Sequence, residues 1–235
     1  MCYSNSSTST NIQLAERYKR IVPDNCPDQP IFCASGFAFP TWRVITKEPT
    51  IEVMTWGLIP NWFRGEDAST IASKTLNAKI ESLEEKVSFR HLLKRNHCII
   101  PSTGFFEWKH TDVHKIPYFI SPNNESVFSM AGLQDHWIDS TGQVHHTFTI
   151  ITCPANEVMR EIHNTKERMP LLLLPEQEVA WLNGDLNEVE KIQTYPSSLI
   201  STTEINKAII SGKHSNVKEV QLPFKNNLSI QGRLF

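Results

Sequence analysis

The sequence predicts an α+β fold, a single domain over residues 1–235 with a curved, largely antiparallel, barrel-like sheet flanked by short helices. Three observations point to it. Short runs rich in aromatic and β-branched residues, bounded by Pro, Asn, Gly and Ser, recur from residue 31 onward. Helical spacing of apolar residues is confined to brief segments. No linker, repeat or low-complexity tract divides the 235 residues, a length that one domain can accommodate.

Taken in order, Leu14 and Tyr18 stand four apart with charges between them, which predicts a short amphipathic helix over 12–20. Residues 31–44 read as strands and turns with a break at Pro40, and Val53 to Trp62 as an apolar strand ending in a Pro-Asn turn. Residues 64–75 are largely polar. Asn77 is then placed to cap a helix carrying Ile80, Leu83 and Val87, with Ser88 capping a further turn to Leu93. Strands are expected at 98–101, 104–109, 117–120, 127–133 and 146–152. Asn156 caps a helix to His163, 169–174 returns as a strand, and Pro175 opens a helix that stops at Gly184. Short strands and one short helix are expected from there to Phe235.

With 40% apolar and 20% charged residues and a net charge of −2, the chain reads as a soluble globular protein. A polyanionic partner would have to be met by a local patch, because the total charge offers no attraction. Five cysteines, an odd number in no CxxC pair, argue against a disulfide framework and for a reducing, cytoplasmic setting. The longest aliphatic run, Leu171 to Leu174, is far short of the ~20 residues of a membrane span.

The chemistry is concentrated at the start, Met1-Cys2-Tyr3-Ser4. Cys2 is small enough for the initiator methionine to be trimmed. The mature chain would then carry an α-amine, with a pKa of roughly 7.7–8, and a thiol near about 8.5 on one residue. Such an aminothiol condenses with an aldehyde to a thiazolidine, which an internal cysteine cannot do. Glu107 sits within the aromatic strand Gly104-Phe105-Phe106-Glu107-Trp108. It is either the solvent-facing residue of an edge strand or a carboxylate in a dry cleft, raised in pKa for general acid/base work. Asn77 either caps a helix or orients the amine or a substrate oxygen. His163 either answers a helix dipole or protonates a leaving oxygen. Lys79 and Arg90 are candidate phosphate contacts. His110 and His114 fall in a polar turn, and His145-His146 stands beside no carboxylate or cysteine cluster, so no metal site and no cofactor are expected.

An ordered set of segments runs from the first residue to about Leu182: M-C-Y-S at 1–4, S-G-F-A-F-P at 35–40, W-G-L-I-P-N-W at 56–62, L-N-A-K-I-E-S at 76–82, F-R at 89–90, C-I-I-P-S-T-G-F-F-E-W at 98–108, A-G-L-Q-D-H-W at 131–137, T-I-I-T at 149–152 and I-H-N with R-M-P at 162–170. This set resembles the SRAP (SOS-response-associated peptidase) family. The resemblance implies a DNA-repair sensor, nucleoid-associated when bound, whose partner is single-stranded DNA containing abasic sites. It also implies covalent capture of the ring-opened sugar by Cys2 as a thiazolidine after autoproteolytic loss of Met1. Carried over, Cys2 is the nucleophile, Asn77 an orienting group, Glu107 the acid/base and His163 a helper in ring opening. Lys79, Arg90 and Arg168 would neutralise phosphates, Thr152 would touch DNA, and Pro40 and Trp62 would form a wedge or stacking surface. Many members have glycine and arginine where this chain has Tyr3 and Ser4, and arginine in place of Lys79. The interval from His163 to Arg-Met-Pro is also a few residues longer here. An N-terminal-nucleophile amidohydrolase, using the freed amine as base for its own thiol, is the alternative. A non-covalent single-strand binding module is a third reading.

Overall fold

In a computed structural model, residues 2–65, 67–123, 125–184, 194–212 and 215–224 are described. Thirteen strands and five α-helices appear among them: β1 (Ser4–Ser7), α1 (Asn11–Tyr18), β2 (Ile31–Ser35), β3 (Thr41–Val44), β4 (Glu52–Trp56), α2 (Ala68–Lys74), β5 (Asn77–Lys79), β6 (His97–Ser102), β7 (Gly104–His110), β8 (Lys115–Pro122), β9 (Phe128–Ile138), β10 (Val144–Pro154), α3 (Glu157–Ile162), β11 (Arg168–Pro170), β12 (Leu172–Leu173), α4 (Pro175–Asn183), β13 (Ile200–Glu204) and α5 (Lys207–Ile210). The predicted α+β class holds, and the two sheets are curved but do not close into a barrel.

The smaller sheet has the order β13-β8-β7-β1-β2. The larger runs β12-β9-β10-β4-β3, with β6 on β9 and both β5 and β11 on β10. Most pairs are antiparallel, as expected, but β4 and β5 both run parallel to β10. Alternation along the central strands divides the interior. Cys98 and Ile100 on β6, Met130 on β9, and Phe148 and Ile150 on β10 join Phe105, Ile120 and Ile200 of the smaller sheet in one core. Their neighbours Ile99, Ala131, Leu133 and Ile151 point the other way, against Leu14 and Tyr18 of α1 and Trp181 and Leu182 of α4. The larger sheet is therefore buried on both faces, which is why its strands read as continuous apolar runs.

Local signals account for several helix ends. Thr10 and Gln13 form a capping box at α1, and Lys19 closes it at φ 52°. The Asn156 side chain accepts from the Met159 amide, and α4 opens on Pro175 and stops at Gly184 with φ 68°. Elsewhere the expectations need correction. The strand read to Trp62 ends at Trp56, because Gly57 adopts φ 119° and breaks the ladder. The polar 64–75 stretch contains α2, capped by Asp67, whose carboxylate accepts from the Ser69 and Thr70 amides. Asn77 caps nothing. It begins β5, and beyond it only a 3-10 turn over Ile80–Ser82 and irregular turns replace the predicted helices. The segment read as one strand over 169–174 is two, β11 on β10 and β12 on β9. The reading of residues beyond 224 falls outside the described residues.

Candidate functional site

The register of β1 delivers the chain start to the site. Asn5 pairs with Phe105 and Ser6 with Gly104, so continuing the antiparallel register by two residues sets Tyr3 opposite Glu107. On its other edge β1 pairs with β2, and the Gly36 amide donates to the Tyr3 carbonyl at 2.8 Å. Below it, Ser102 Oγ donates to Asn5 Oδ1. Gly104 permits the tight exit into β7, since a Cβ there would stand 2.5 Å from the Ile120 carbonyl oxygen. These contacts leave Cys2 fully buried in the inter-sheet core.

Asn77 meets Cys2 from the opposite side, its Nδ2 donating to the Cys2 carbonyl at 2.9 Å. Its Oδ1 is buried with no hydrogen-bond partner among the described residues. Parallel pairing with β10 and a hydrogen bond from Trp56 Nε1 to the Leu76 carbonyl fix this segment. Cys2 Sγ lies 3.6 Å from the Ser4 carbonyl oxygen. Burial, and after it the charge of Glu107, pushes the Cys2 thiol far above its ordinary range. All five cysteines are free thiols.

Glu107 is the clearest correction to a surface reading. β7 is an interior strand between β1 and β8, and Glu107 is only 5% exposed. Burial pushes its carboxyl up to about 7, with the backbone at Trp108 and the charge of Lys166 among the opposing influences. His163 Nδ1 is 3.9 Å from Glu107 Oε1 and 2.7 Å from the Arg168 carbonyl oxygen. A carbonyl only accepts, so Nδ1 carries the proton and Nε2 is the basic nitrogen. Burial lowers the His163 pKa, which keeps the ring neutral near pH 7. His163 is the C-cap of α3, where the dipole reading places it, but a ring kept neutral by burial gains little from the helix dipole.

Two hollows open beside residues that adjoin or contact Cys2. One, of about 580 Å³, is lined by Tyr3, Ser4, Glu107 and His163, with Lys115, Lys166 and Lys207 also on its walls. The other, of about 980 Å³, is lined by Asn77, Lys79, Lys74 and Lys86. Lys79 and Arg90 are exposed. Arg168 is committed to Glu81 at 2.7 Å and to Thr152, while Thr152 itself is fully buried against the Ala78 carbonyl. Pro40 is half-buried, and Trp62 is 44% exposed at the turn after β4.

Sequence reasoning passed over three features. Asp135, inside the A-G-L-Q-D-H-W segment, accepts from the Asn61 amide at 2.8 Å and meets His91 Nε2 at 3.0 Å, tying the Trp62 turn to the segment that carries Arg90. Tyr3 and Phe37 form an aromatic pair with ring centroids 5.0 Å apart. Lys166, in the loop after His163, lies on the first hollow. His145 also has a carboxylate partner after all, Asp139 Oδ2 at 2.8 Å. Among the described residues, no group of three or more His, Cys, Asp or Glu could hold a metal ion, and no helix is long and apolar enough to cross a membrane.

The chain is similar to known proteins. The chain is 35% identical over 173 residues to abasic site processing protein YoqW of Bacillus subtilis, covering 72% of this chain and 75% of that one. It is 32% identical over 191 residues to abasic site processing protein HMCES of Xenopus tropicalis, covering 68% of this chain and 56% of that one. A crystal structure of a protein from Bacteroides thetaiotaomicron superposes with a TM-score of 0.88 at 36% identity, over 95% of this chain and all of that one. The SOS response associated peptidase (SRAP) family matches residues 1–211, and the chain belongs to that family.

Proposed function

We propose that this protein acts in DNA repair by capturing abasic sites in single-stranded DNA, linking the ring-opened sugar aldehyde to Cys2 as a thiazolidine once Met1 has been removed. The observation that carries the reading is the placement of Cys2 beside a buried glutamate whose carboxyl is raised to about 7. The names of the relatives, abasic site processing proteins, point the same way.

His163 Nε2 takes the proton of the sugar C1 hydroxyl, the bond between C1 and the ring oxygen breaks, and the proton passes to that oxygen, leaving the open-chain aldehyde and a neutral imidazole. The Cys2 amine then attacks the aldehyde carbon, forming a carbon–nitrogen bond. Glu107 in its acid form protonates the departing oxygen, and one water leaves as the Schiff base forms. The carboxylate left behind accepts the thiol proton while sulfur attacks the same carbon and closes the ring. The net reaction joins aldehyde, amine and thiol and releases one water. A thiol held in its protonated form by burial favours this order, amine first and sulfur second. A carboxyl near neutrality is suited to give a proton and take one back in the same cycle. Asn77 anchors the Cys2 carbonyl, and its open Oδ1 is available to the amine.

The test is to incubate the processed protein with single-stranded oligonucleotides that do or do not contain an abasic site, followed by a denaturing gel. A heat-resistant adduct is expected with the abasic strand alone. It should vanish in Cys2→Ala and when residues are appended before Cys2. An adduct that persists in Cys2→Ala would overturn the reading.

A further inference from the structure

The hairpin of β9 and β10 outruns the sheet that carries it. β6 pairs with β9 as far as Leu133, and β4 meets β10 only at Thr147 and Phe148. Residues 135–146 therefore run on as a two-stranded ribbon, an arrangement of marginal stability by itself. One face of the ribbon is held against the turn that follows β4. Trp137 Nε1 donates to the Phe63 carbonyl at 2.9 Å, and the Asn61 amide donates to the Asp135 carboxylate at 2.8 Å. Alternation turns the other face outward, and its side chains, His136, Ile138, Val144 and His146, are all exposed.

On that outer face His136 stands directly opposite His146. The Asp139 amide donates to the Gln143 carbonyl at 3.0 Å, so counting back along the ladder makes His136 and His146 a non-hydrogen-bonded pair. In such a pair the side chains lie closest, with Cβ atoms about 4.5–5.5 Å apart. Two imidazoles at this separation can both reach one ion at a zinc–nitrogen distance of about 2.0–2.1 Å. The sequence neighbour His145 is not part of the pair. It faces the other way and meets Asp139 Oδ2 at 2.8 Å.

The surroundings suit a cation. No lysine or arginine occurs between Lys115 and Arg160. The pairs on either side of the histidines, Ile138 with Val144 and Gln134 with Phe148, are uncharged. Asp135 Oδ1 lies 3.9 Å from His136 Nδ1, and a carboxylate behind an imidazole strengthens that ring as a metal ligand.

We propose that His136 and His146 form a metal clamp, a site for a transition-metal dication of the zinc type that staples the two strands of the ribbon together. Imidazole nitrogens select such ions over magnesium or calcium. The pair supplies two ligands, and water fills the remaining positions. An ion that binds only the folded ribbon stabilises it, and with it the face on which Asn61 and Phe63 rest. The clamp is independent of the capture reading and lies on different residues.

The experiment titrates zinc into the full processed chain carrying Cys2→Ala, which removes a terminal thiol that would bind zinc itself. Calorimetry should show one saturable site that is lost in His136→Ala and equally in His146→Ala, and kept in His114→Ala. Because both side chains are exposed, the two variants should match their parent in metal-free melting temperature. Zinc should shift the imidazole C–H resonances of His136 and His146 together and slow amide exchange across 135–146. Absence of saturable binding, or a site that survives either substitution, overturns the clamp.

Discussion

Glu107 and Glu178 are both withdrawn from solvent, at 5% and 8% exposure, yet the fold handles their charge in opposite ways. Glu178 on α4 receives a two-pronged guanidinium from Arg17, at 2.6 and 3.1 Å, and the Ser129 hydroxyl at 2.6 Å. Because Ser129 spends its proton on Glu178, Tyr18 donates to Ser129 in turn, at 2.8 Å. That network pins α1 and α4 to β9 and sets the Glu178 carboxylate against a guanidinium. Glu107 faces the imidazole of His163, and the burial that raises its pKa is shared with the Cys2 thiol. Its carboxyl is raised to about 7, where either protonation state is readily reached. The first arrangement matches the charge it buries, so breaking it is costly; the second leaves a carboxyl raised to about 7.

The contrast is open to direct attack. The largest expected effect is on chemistry: Glu107→Gln, which preserves shape and removes the proton exchange, should slow adduct formation about 10³-fold in single-turnover gels. Its melting temperature should hold or rise. Arg17→Ala should do the reverse, lowering unfolding free energy by about 3 kcal/mol in denaturant titrations because Glu178 is left with its charge unmatched. The capture rate of the folded fraction should not change. Asn77→Ala removes one hydrogen bond to Cys2 and should slow capture about tenfold, the equivalent of a single net hydrogen bond of about 1.4 kcal/mol. A rate loss as large as that of Glu107→Gln would move Asn77 from orientation into the chemistry.

The smallest effect lies in stability against pH. The folded-state pKa of Glu107 is raised above its ordinary 4.5, so the folded protein holds this proton more tightly than the unfolded chain. Its contribution is fully present below about 4.5 and is lost as pH rises through about 7. The stability difference between the unaltered chain and Glu107→Gln should shift across that window in favour of the variant. A difference that is flat with pH would mean that Glu107 is not buried as a neutral acid.

What the sequence made legible divides along the same line as the two glutamates, between local and distant causes. The Asn156 cap, Pro175 at the start of α4 and Gly184 at its end are decided by neighbours within a few positions, and each stands as read. The five predicted strands from 98 to 152 correspond to β6 through β10, because aromatic and β-branched runs between turns signal themselves. The segment after Asn77 was misread as helix because its conformation is set by parallel pairing with β10, more than 70 positions away, which leaves no local trace. α2, with the sequence A-S-T-I-A-S-K, has too little apolar periodicity to announce a helix and depends on Asp67 for its start. At the site, residue types alone left Glu107 undecided between surface and cleft. Its burial follows from β1 and β8 closing over both edges of β7, and family resemblance, not spacing, joined it to Cys2, Asn77 and His163.

The most direct test of the central claim is the pH dependence of the single-turnover rate of adduct formation, measured on saturating abasic single-stranded DNA for the unaltered chain and Glu107→Gln. A proton-donating carboxyl raised to about 7 predicts an inflection near that pH, with the rate falling on its alkaline side, that is missing from the variant. The same profile in both proteins would contradict it.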